Sequence, residues 1–261
     1  MQVFNFEFPK EWEEVRLYVL ADLHLGEHGF DEKRFAKWQA EVNADPKALV
    51  IVNGDIVNNA TRHSVSDVYS ETLTPNQQID KAVELLLPIK EKILVLTEGN
   101  HEKRTYKSDG ILLMDRVAKE LYGADEARNR YTDGAYLIYL AFGKNNGRDS
   151  RKTVYSIYGR HGSGGGKKTG AKANRLEDMV NVINADIFLH SHTHTPIGFK
   201  LSSFNVNYRD RKISQKEHLF VNTNAFLGFG GYGEESGFRP TSTKYPVIFL
   251  NGDHREANVL I

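Results

Sequence analysis

Five short polar motifs carry the residue types that do chemistry. They are Asp22-Leu23-His24, Gly54-Asp55, Gly99-Asn100-His101-Glu102, Gly159-Arg160-His161 and His190-Ser191-His192-Thr193-His194, and each follows a short apolar run. Carboxylates, imidazoles and a carboxamide bind divalent cations or move protons. The chain has no cysteine. That excludes disulfides, iron–sulfur clusters, thiolate metal ligands and cysteine nucleophiles. A metal here has to be held by His, Asp, Glu, Asn or water. Each motif alone is compatible with something plainer: Gly-Asp marks turns, and Asn100 is a good helix cap. Their common place after an apolar run makes them one set.

The positioning elements are read from apolar patterning. Residues 15–21, 48–53 and 92–96 are short runs rich in Val, Ile and Leu, the pattern of buried strands. Helical spacing lies between them. Phe35, Trp38 and Val42 recur at three and four residues within 31–43. Thr74-Pro75 supplies a cap and a first-turn proline for a helix reaching residue 87, and Ser108 or Asp109 would cap a helix running to 121. A further helix is expected over 174–184, ahead of a strand at 187–189. This alternation predicts an α/β fold with parallel strands. Segments 135–141, 153–159, 218–222, 247–250 and 257–261 read as strands with few helices between them, suiting a second sheet packed on the first. With no repeat and no Pro/Ser linker, residues 1–261 are expected to form one domain. In open α/β sheets ligands bind beyond the carboxyl ends of the strands. Strand ends would thus deliver Asp22, His24, Asp55, Asn100, His161, His192 and His194 to one edge.

The ordered set resembles the calcineurin-like metallophosphoesterase superfamily. That pattern is Asp-x-His, Gly-Asp, Gly-Asn-His-Asp/Glu, a lone His, then Gly-His-x-His; the match runs from Asp22 to His194, about two thirds of the chain. Ser191 stands where the pattern has Gly, and a positive φ there would cost Ser on the order of 1 kcal/mol. The resemblance implies a four-layer α/β/β/α sandwich of two mixed β-sheets flanked by helices. It implies one divalent ion held by Asp22, His24, Asp55 and His194, and a second held by Asp55, Asn100, His161 and His192. Asp55 would bridge them and offset the repulsion of two ions about 3.5–4 Å apart. It further implies attack by a hydroxide between the ions, with no covalent phosphoenzyme. Mn2+ is the leading expectation for the metal, with Fe, Zn, Ni, Co or Mg as alternatives. His101 matches the histidine that is not a ligand but faces the leaving group, and Glu102 is expected to orient it and raise its pKa.

Substrate class rests on charge. Hydrophobic residues make up 40% and charged residues 26% of the chain, a globular rather than a disordered composition. Basic and acidic residues balance at 34 each, yet residues 144–175 hold nine Lys/Arg and one acid, Asp149. That segment predicts an anionic partner gripped by Lys167 and Lys168, on a glycine-rich loop expected to be flexible. Arg104, Arg62 and His63 are further expected substrate contacts. Aromatic rings in 226–238 are available for base stacking or for the core. The leading expectation is a phosphodiesterase acting on a nucleic acid or nucleotide. Asp22-Leu23-His24-Leu25-Gly26 resembles the opening motif of DNA-repair nucleases and of lipid-precursor pyrophosphatases. Gly-Asn-His-Glu is shared with protein serine/threonine phosphatases. A phosphomonoesterase and a nucleotide pyrophosphatase are therefore the alternatives, with a non-catalytic scaffold behind them. The N-terminus lacks a signal-peptide pattern and no apolar run reaches about 18 residues, so no membrane contact and a cytoplasmic location are expected.

Overall fold

The computed structural model describes residues 1–261 apart from 10, 63, 65, 66, 144–151, 231–233, 235, 236, 238 and 241. The first half contains β1 (Gln2–Phe8), β2 (Glu14–Leu20), α1 (Glu32–Ala44), β3 (Ala48–Asn53), α2 (Pro75–Leu86), β4 (Ile93–Thr97), α3 (Glu102–Asp109) and α4 (Leu113–Ala127). Then follow β5 (Tyr131–Thr132), β6 (Tyr136–Phe142), β7 (Thr153–Gly159), α5 (Thr169–Glu177) and β8 (Ile187–His190). The last strands are β9 (Ile197–Asn207), β10 (Lys212–Asn222), β11 (Val247–Asn251) and β12 (Ala257–Leu260).

They form two six-stranded sheets, ordered β12-β11-β2-β3-β4-β5 and β1-β6-β7-β8-β10-β9. In the first, β2 to β5 run parallel, β11 pairs antiparallel with β2, and β12 pairs antiparallel with β11. In the second, β7, β8 and β10 run parallel, whereas β6–β7 and β9–β10 are antiparallel.

Period-two alternation along the strands builds the layers. Tyr18, Leu20, Val50 and Val52 join Phe35, Trp38 and Val42 of α1 and Ile79 and Leu86 of α2. Leu17, Val19, Leu49 and Ile51 point the other way, onto Tyr136, Ile138, Leu140, Ile157, Leu189 and Val221 of the second sheet. The far face of that sheet, through Leu137, Tyr158, Phe188 and Phe220, packs on Leu176 of α5 and on Met179. These apolar interfaces make the expected α/β/β/α sandwich. One bulge shifts the alternation: Val50 pairs with Ile93 but Ile51 with Val95, so Leu94 and Val95 both face the second sheet.

The starts of α1 and α2 follow local cap chemistry, and those of α3, α4 and α5 have no side-chain cap of their own. The Asp31 carboxylate accepts from Arg34 N at 3.0 Å to open α1, and Thr74 and Gln77 form a reciprocal capping box behind Pro75. Ser108 and Asp109, expected as caps, instead form the last turn of α3, which Gly110 closes at φ 73°. The N-terminus of α4 has no cap of its own. The buried Glu98 carboxylate serves it from a distance, accepting from Met114 N at 3.0 Å. Helix α5 starts before the expected residue 174 and ends in a 3₁₀ turn over Asp178–Asn181. Strands β1, β5 and β9 were not expected. Among the described residues no helix is long and apolar enough to cross a membrane.

Candidate metal centre

The chemistry-bearing residues follow the carboxyl ends of β2, β3, β4, β7 and β8, and the backbone is forced to turn sharply there. Asp22 (φ 55°), His24 (φ 50°), Asp55 (φ 51°), His192 (φ 66°) and His194 (φ 50°) all occupy the left-handed region. Each costs a non-glycine residue about 1–2 kcal/mol, and such strain concentrates at functional sites. Backbone bonds between the loops hold these turns: Asp22 N to Gly54 O at 3.1 Å, His24 N to Asp55 O at 3.1 Å and Ser191 N to His161 O at 2.8 Å. Gly54 (φ 84°) and Gly99 pack backbone on backbone, and a Cβ on Gly99 would overlap the Asp55 carboxylate. Ser191 is not among the positive-φ residues, so the expected strain does not arise. Its buried hydroxyl instead accepts from Asn53 Nδ2 at 2.6 Å.

Around this edge, imidazole nitrogens face two buried carboxylates. His194 Nε2 lies 3.1 Å and His24 Nε2 3.9 Å from Asp22 Oδ1, and the two nitrogens are 3.1 Å apart. His161 Nε2 lies 3.0 Å from Asp55 Oδ2, 4.0 Å from Asp22 Oδ1 and 3.2 Å from Asn100 Oδ1. Ligand atoms of Asp22, His24 and His194 lie within 4.8 Å of one another, as do those of Asp55, His161 and His192. Asp22 Oδ1 and Asp55 Oδ2 are buried and neither accepts a hydrogen bond of proper geometry. Buried oxygens left in this way call for a cation. His161 Nδ1 donates to Asn53 O at 2.7 Å, which leaves Nε2 facing Asp55. Burial pulls the His161 imidazole down, but Asp55 and Asp22 push its pKa up to about 10. Burial pushes Asp55 up, but His161 and His101 hold it well below the usual carboxylate range.

Glu102 does something other than orient His101. Its carboxylate accepts four backbone N–H groups: Asp55 N at 3.0 Å, Ile56 N at 2.7 Å, Val57 N at 3.1 Å and Gly99 N at 2.8 Å. It is a buried clamp that shapes the Asp55 loop; burial and Asp55 push its pKa up to about 8. His101 is oriented by Asn58 O, which accepts from Nδ1 at 2.7 Å, and by Arg104, whose guanidinium lies 3.0 Å from Nε2. Burial, opposed by Asp55 and aided by Arg104, lowers its pKa instead of raising it. His24, Asp55 and His101 also lie close enough to share an ion. Arg104 at His101 Nε2 disfavours that, because it occupies the lone pair and repels a cation.

The family model of the calcineurin-like phosphoesterases matches residues 15–196, more than half of the chain. The chain belongs to the calcineurin-like phosphoesterase family. Solved structures similar to it include a predicted phosphoesterase from Streptococcus pneumoniae, 14% identical over 95% of this chain and 97% of that one, with a TM-score of 0.35. Another is a metallophosphoesterase from Sphaerobacter thermophilus, 10% identical over 94% of this chain and 87% of that one, with a TM-score of 0.42. No curated protein matches the sequence. Calcineurin-like phosphoesterases use divalent metals, and the donor set fits them: imidazole, carboxylate and carboxamide atoms converge on the two unsatisfied oxygens.

The expected substrate contacts of this calcineurin-like phosphoesterase divide. Arg104 reaches the cluster through His101. Arg62 is exposed, with no hydrogen bond or ion pair to the cluster among the described residues. His63 lies outside the described residues, as do Lys144, Arg148, Asp149 and Arg151. The rest of the basic segment does not gather into one cationic face. Lys152 pairs with Glu7 at 2.7 Å, Lys172 is buried, and Arg175 donates to Ser163 O at 2.8 Å. Among the described residues of the segment, the exposed cations are Lys167 and Lys168, together at the C-terminal end of the glycine-rich loop. In the loop, Gly162 (φ 104°) lies against the His190 ring and Gly164 (φ 109°) against the Arg175 guanidinium, while a Cβ at Gly165 would meet nothing within 4 Å. Phe226 belongs to the core, with Phe35 5.7 Å and Trp38 5.8 Å away; residues 231–233 and 238 of that segment lie outside the described residues.

Sequence reasoning missed Asn53 and Asn222. Asn53 accepts from Tyr136 Oη at 2.9 Å and donates to Arg160 O at 3.0 Å, tying the two sheets together beside the His/Asp cluster. Asn222 accepts from His190 Nδ1 at 2.8 Å. Each is a carboxamide ending a run of buried apolar residues, and that signal was available.

Proposed function

We propose that the chain is a dinuclear metal-dependent phosphoesterase with a phosphodiester substrate. In this reading Asp22, His24, Asp55 and His194 hold one divalent ion, and Asp55, Asn100, His161 and His192 hold the other. The observation that carries it is the pair of buried oxygens, Asp22 Oδ1 and Asp55 Oδ2, that accept no hydrogen bond yet face imidazole nitrogens from the opposite sheet. When bound, such ions act as Lewis acids on the phosphoryl group and acidify water for in-line attack. The chain's own groups do the rest. Asp55 supplies the shared charge. His192 N donates to Asp22 Oδ2 at 3.2 Å and fixes that carboxylate's rotation. Arg104 takes a non-bridging phosphoryl oxygen. His101, held through Nδ1, presents Nε2 to the leaving-group oxygen once Arg104 has moved from that nitrogen to the phosphoryl group. One guanidinium bonded into the cluster among the described residues suits the single charge of a diester better than the double charge of a monoester.

Metal-stripped protein given Mn2+, Ni2+, Zn2+ or Mg2+ and offered bis-p-nitrophenyl phosphate and p-nitrophenyl phosphate tests this. Metal-dependent cleavage of the diester is expected, falling by about 10³-fold or more in Asp55→Asn. Near-normal turnover in that variant overturns the two-ion assignment. Cleavage of the monoester alone makes the protein a phosphomonoesterase.

A further inference from the structure

Lys172, within the basic segment, is only 6% exposed. Its ammonium donates to Thr193 O at 2.9 Å and to Thr195 Oγ1 at 2.5 Å, the two residues that flank His194. Asn222 holds the same pair from β10, donating to Thr193 Oγ1 at 2.9 Å and Thr195 O at 2.7 Å. Two elements therefore grip one short loop, and between the grips lies His194 at φ 50°.

The other histidines are aimed differently. His161 has its ring fixed through Nδ1 on Asn53 O. His192 is anchored by its own N–H on Asp22 Oδ2, next to Ser191, whose N–H bonds to His161 O. Among the described residues no acceptor takes His194 Nδ1, and its side chain is 35% exposed. Beyond the contacts of Nε2 with Asp22 and His24 inside the cluster, the direction of the His194 ring is therefore set by its backbone. Metal-ligating histidines depend on such outer partners, whose loss typically lowers metal affinity by about 10–100-fold.

We propose that Lys172 is a positioning residue that aims His194, and so controls occupancy of one of the two ions. The proposal rests on the metal-centre reading above. Lys172→Met keeps the apolar stem and removes the donors; Thr195→Val removes the hydroxyl acceptor at nearly constant shape. Calorimetric titration of the metal-stripped 261-residue chain with Mn2+ reads the outcome. Two sites are expected in the unaltered protein. Each variant should keep one affinity and weaken the other by about 10–100-fold. The paramagnetic resonance spectrum should change from a coupled Mn2+ pair to an isolated Mn2+ ion at limiting metal. A purely structural role would lower the melting temperature of the metal-free protein and leave the two affinities alone. Unchanged affinities in folded variants, or equal weakening of both sites, overturn the proposal. If Lys172→Met does not fold, Thr195→Val decides. Failure of the unaltered protein to bind Mn2+ overturns the metal-centre reading itself, and this proposal with it.

Discussion

At the scale of single residues, Glu102 and His101 show how neighbours in sequence take separate jobs. Adjacent residues at a helix start point in different directions, while residues three apart meet. Hence Arg104, not Glu102, reaches His101, and Glu102 turns back to four backbone amides. The motif spacing alone could have shown this. Reading adjacency as contact concealed it. Glu102→Gln turns an N–H donor toward backbone amides that need acceptors. It should cost about 2–4 kcal/mol in urea unfolding; a loss within the error of the extrapolation would show that the clamp is dispensable. His101→Ala should behave in the opposite way. It should leave stability and bound metal near normal and slow hydrolysis about 10²-fold or more, most for poor leaving groups. Metal loss in that variant would make His101 a ligand.

At the scale of elements, Glu98 explains why the α3–α4 boundary was misread. Cap preferences are local rules, and here the cap of α4 comes from the loop after β4, sixteen residues before Met114. Glu98 also accepts from Tyr131 Oη at 2.8 Å, so one carboxylate ties α4 and β5 to the loop carrying Asn100 and His101. Glu98→Ala should destabilise the protein by about 1–2 kcal/mol, measured by thermal or urea unfolding. No change would mean that water satisfies the Met114 amide equally well. The central strands were legible because Leu, Val and Ile fill both of their faces. β9 was not: it is an edge strand with polar residues at many positions and Phe204 and Val206 exposed, so no burial pattern marks it. β1 carried a signal, Phe4, Phe6 and Phe8 at period two, too short to stand out from the polar terminus around it. The cluster of His, Asp and Asn side chains at this edge was more legible than the elements, because such residue types after apolar runs stand out in a sequence. The clamps around it were hidden, since a carboxamide or lysine takes many roles.

At the scale of the whole molecule, the candidate centre joins the two sheets. Asp22, His24, Asp55 and Asn100 follow strands of one sheet, and His161, His192 and His194 follow strands of the other. Apolar contacts hold the sheets together along their length. At this edge the inner residues are polar, and direct links run from Asn53 to Tyr136, Ser191, Arg160 and His161 and from His192 N to Asp22. Without ions, the Asp22 and Asp55 oxygens remain buried and unsatisfied, a penalty on the folded state alone. Divalent ions bound there relieve that penalty and cross-link the sheets. Binding to the folded state at 100 times the dissociation constant adds about 2.7 kcal/mol per site, and 1 kcal/mol moves the melting temperature of a chain of this size by roughly 2–4 °C. Chelation should therefore lower the melting temperature by about 5 °C or more, and Mn2+ should restore it. Asp55→Asn should melt near the chelated value and respond little to Mn2+, because the residue shared by both sites is gone. A melting temperature indifferent to chelation in protein shown to contain metal would place the ions elsewhere, leaving the joint between the sheets to Asn53 and its partners.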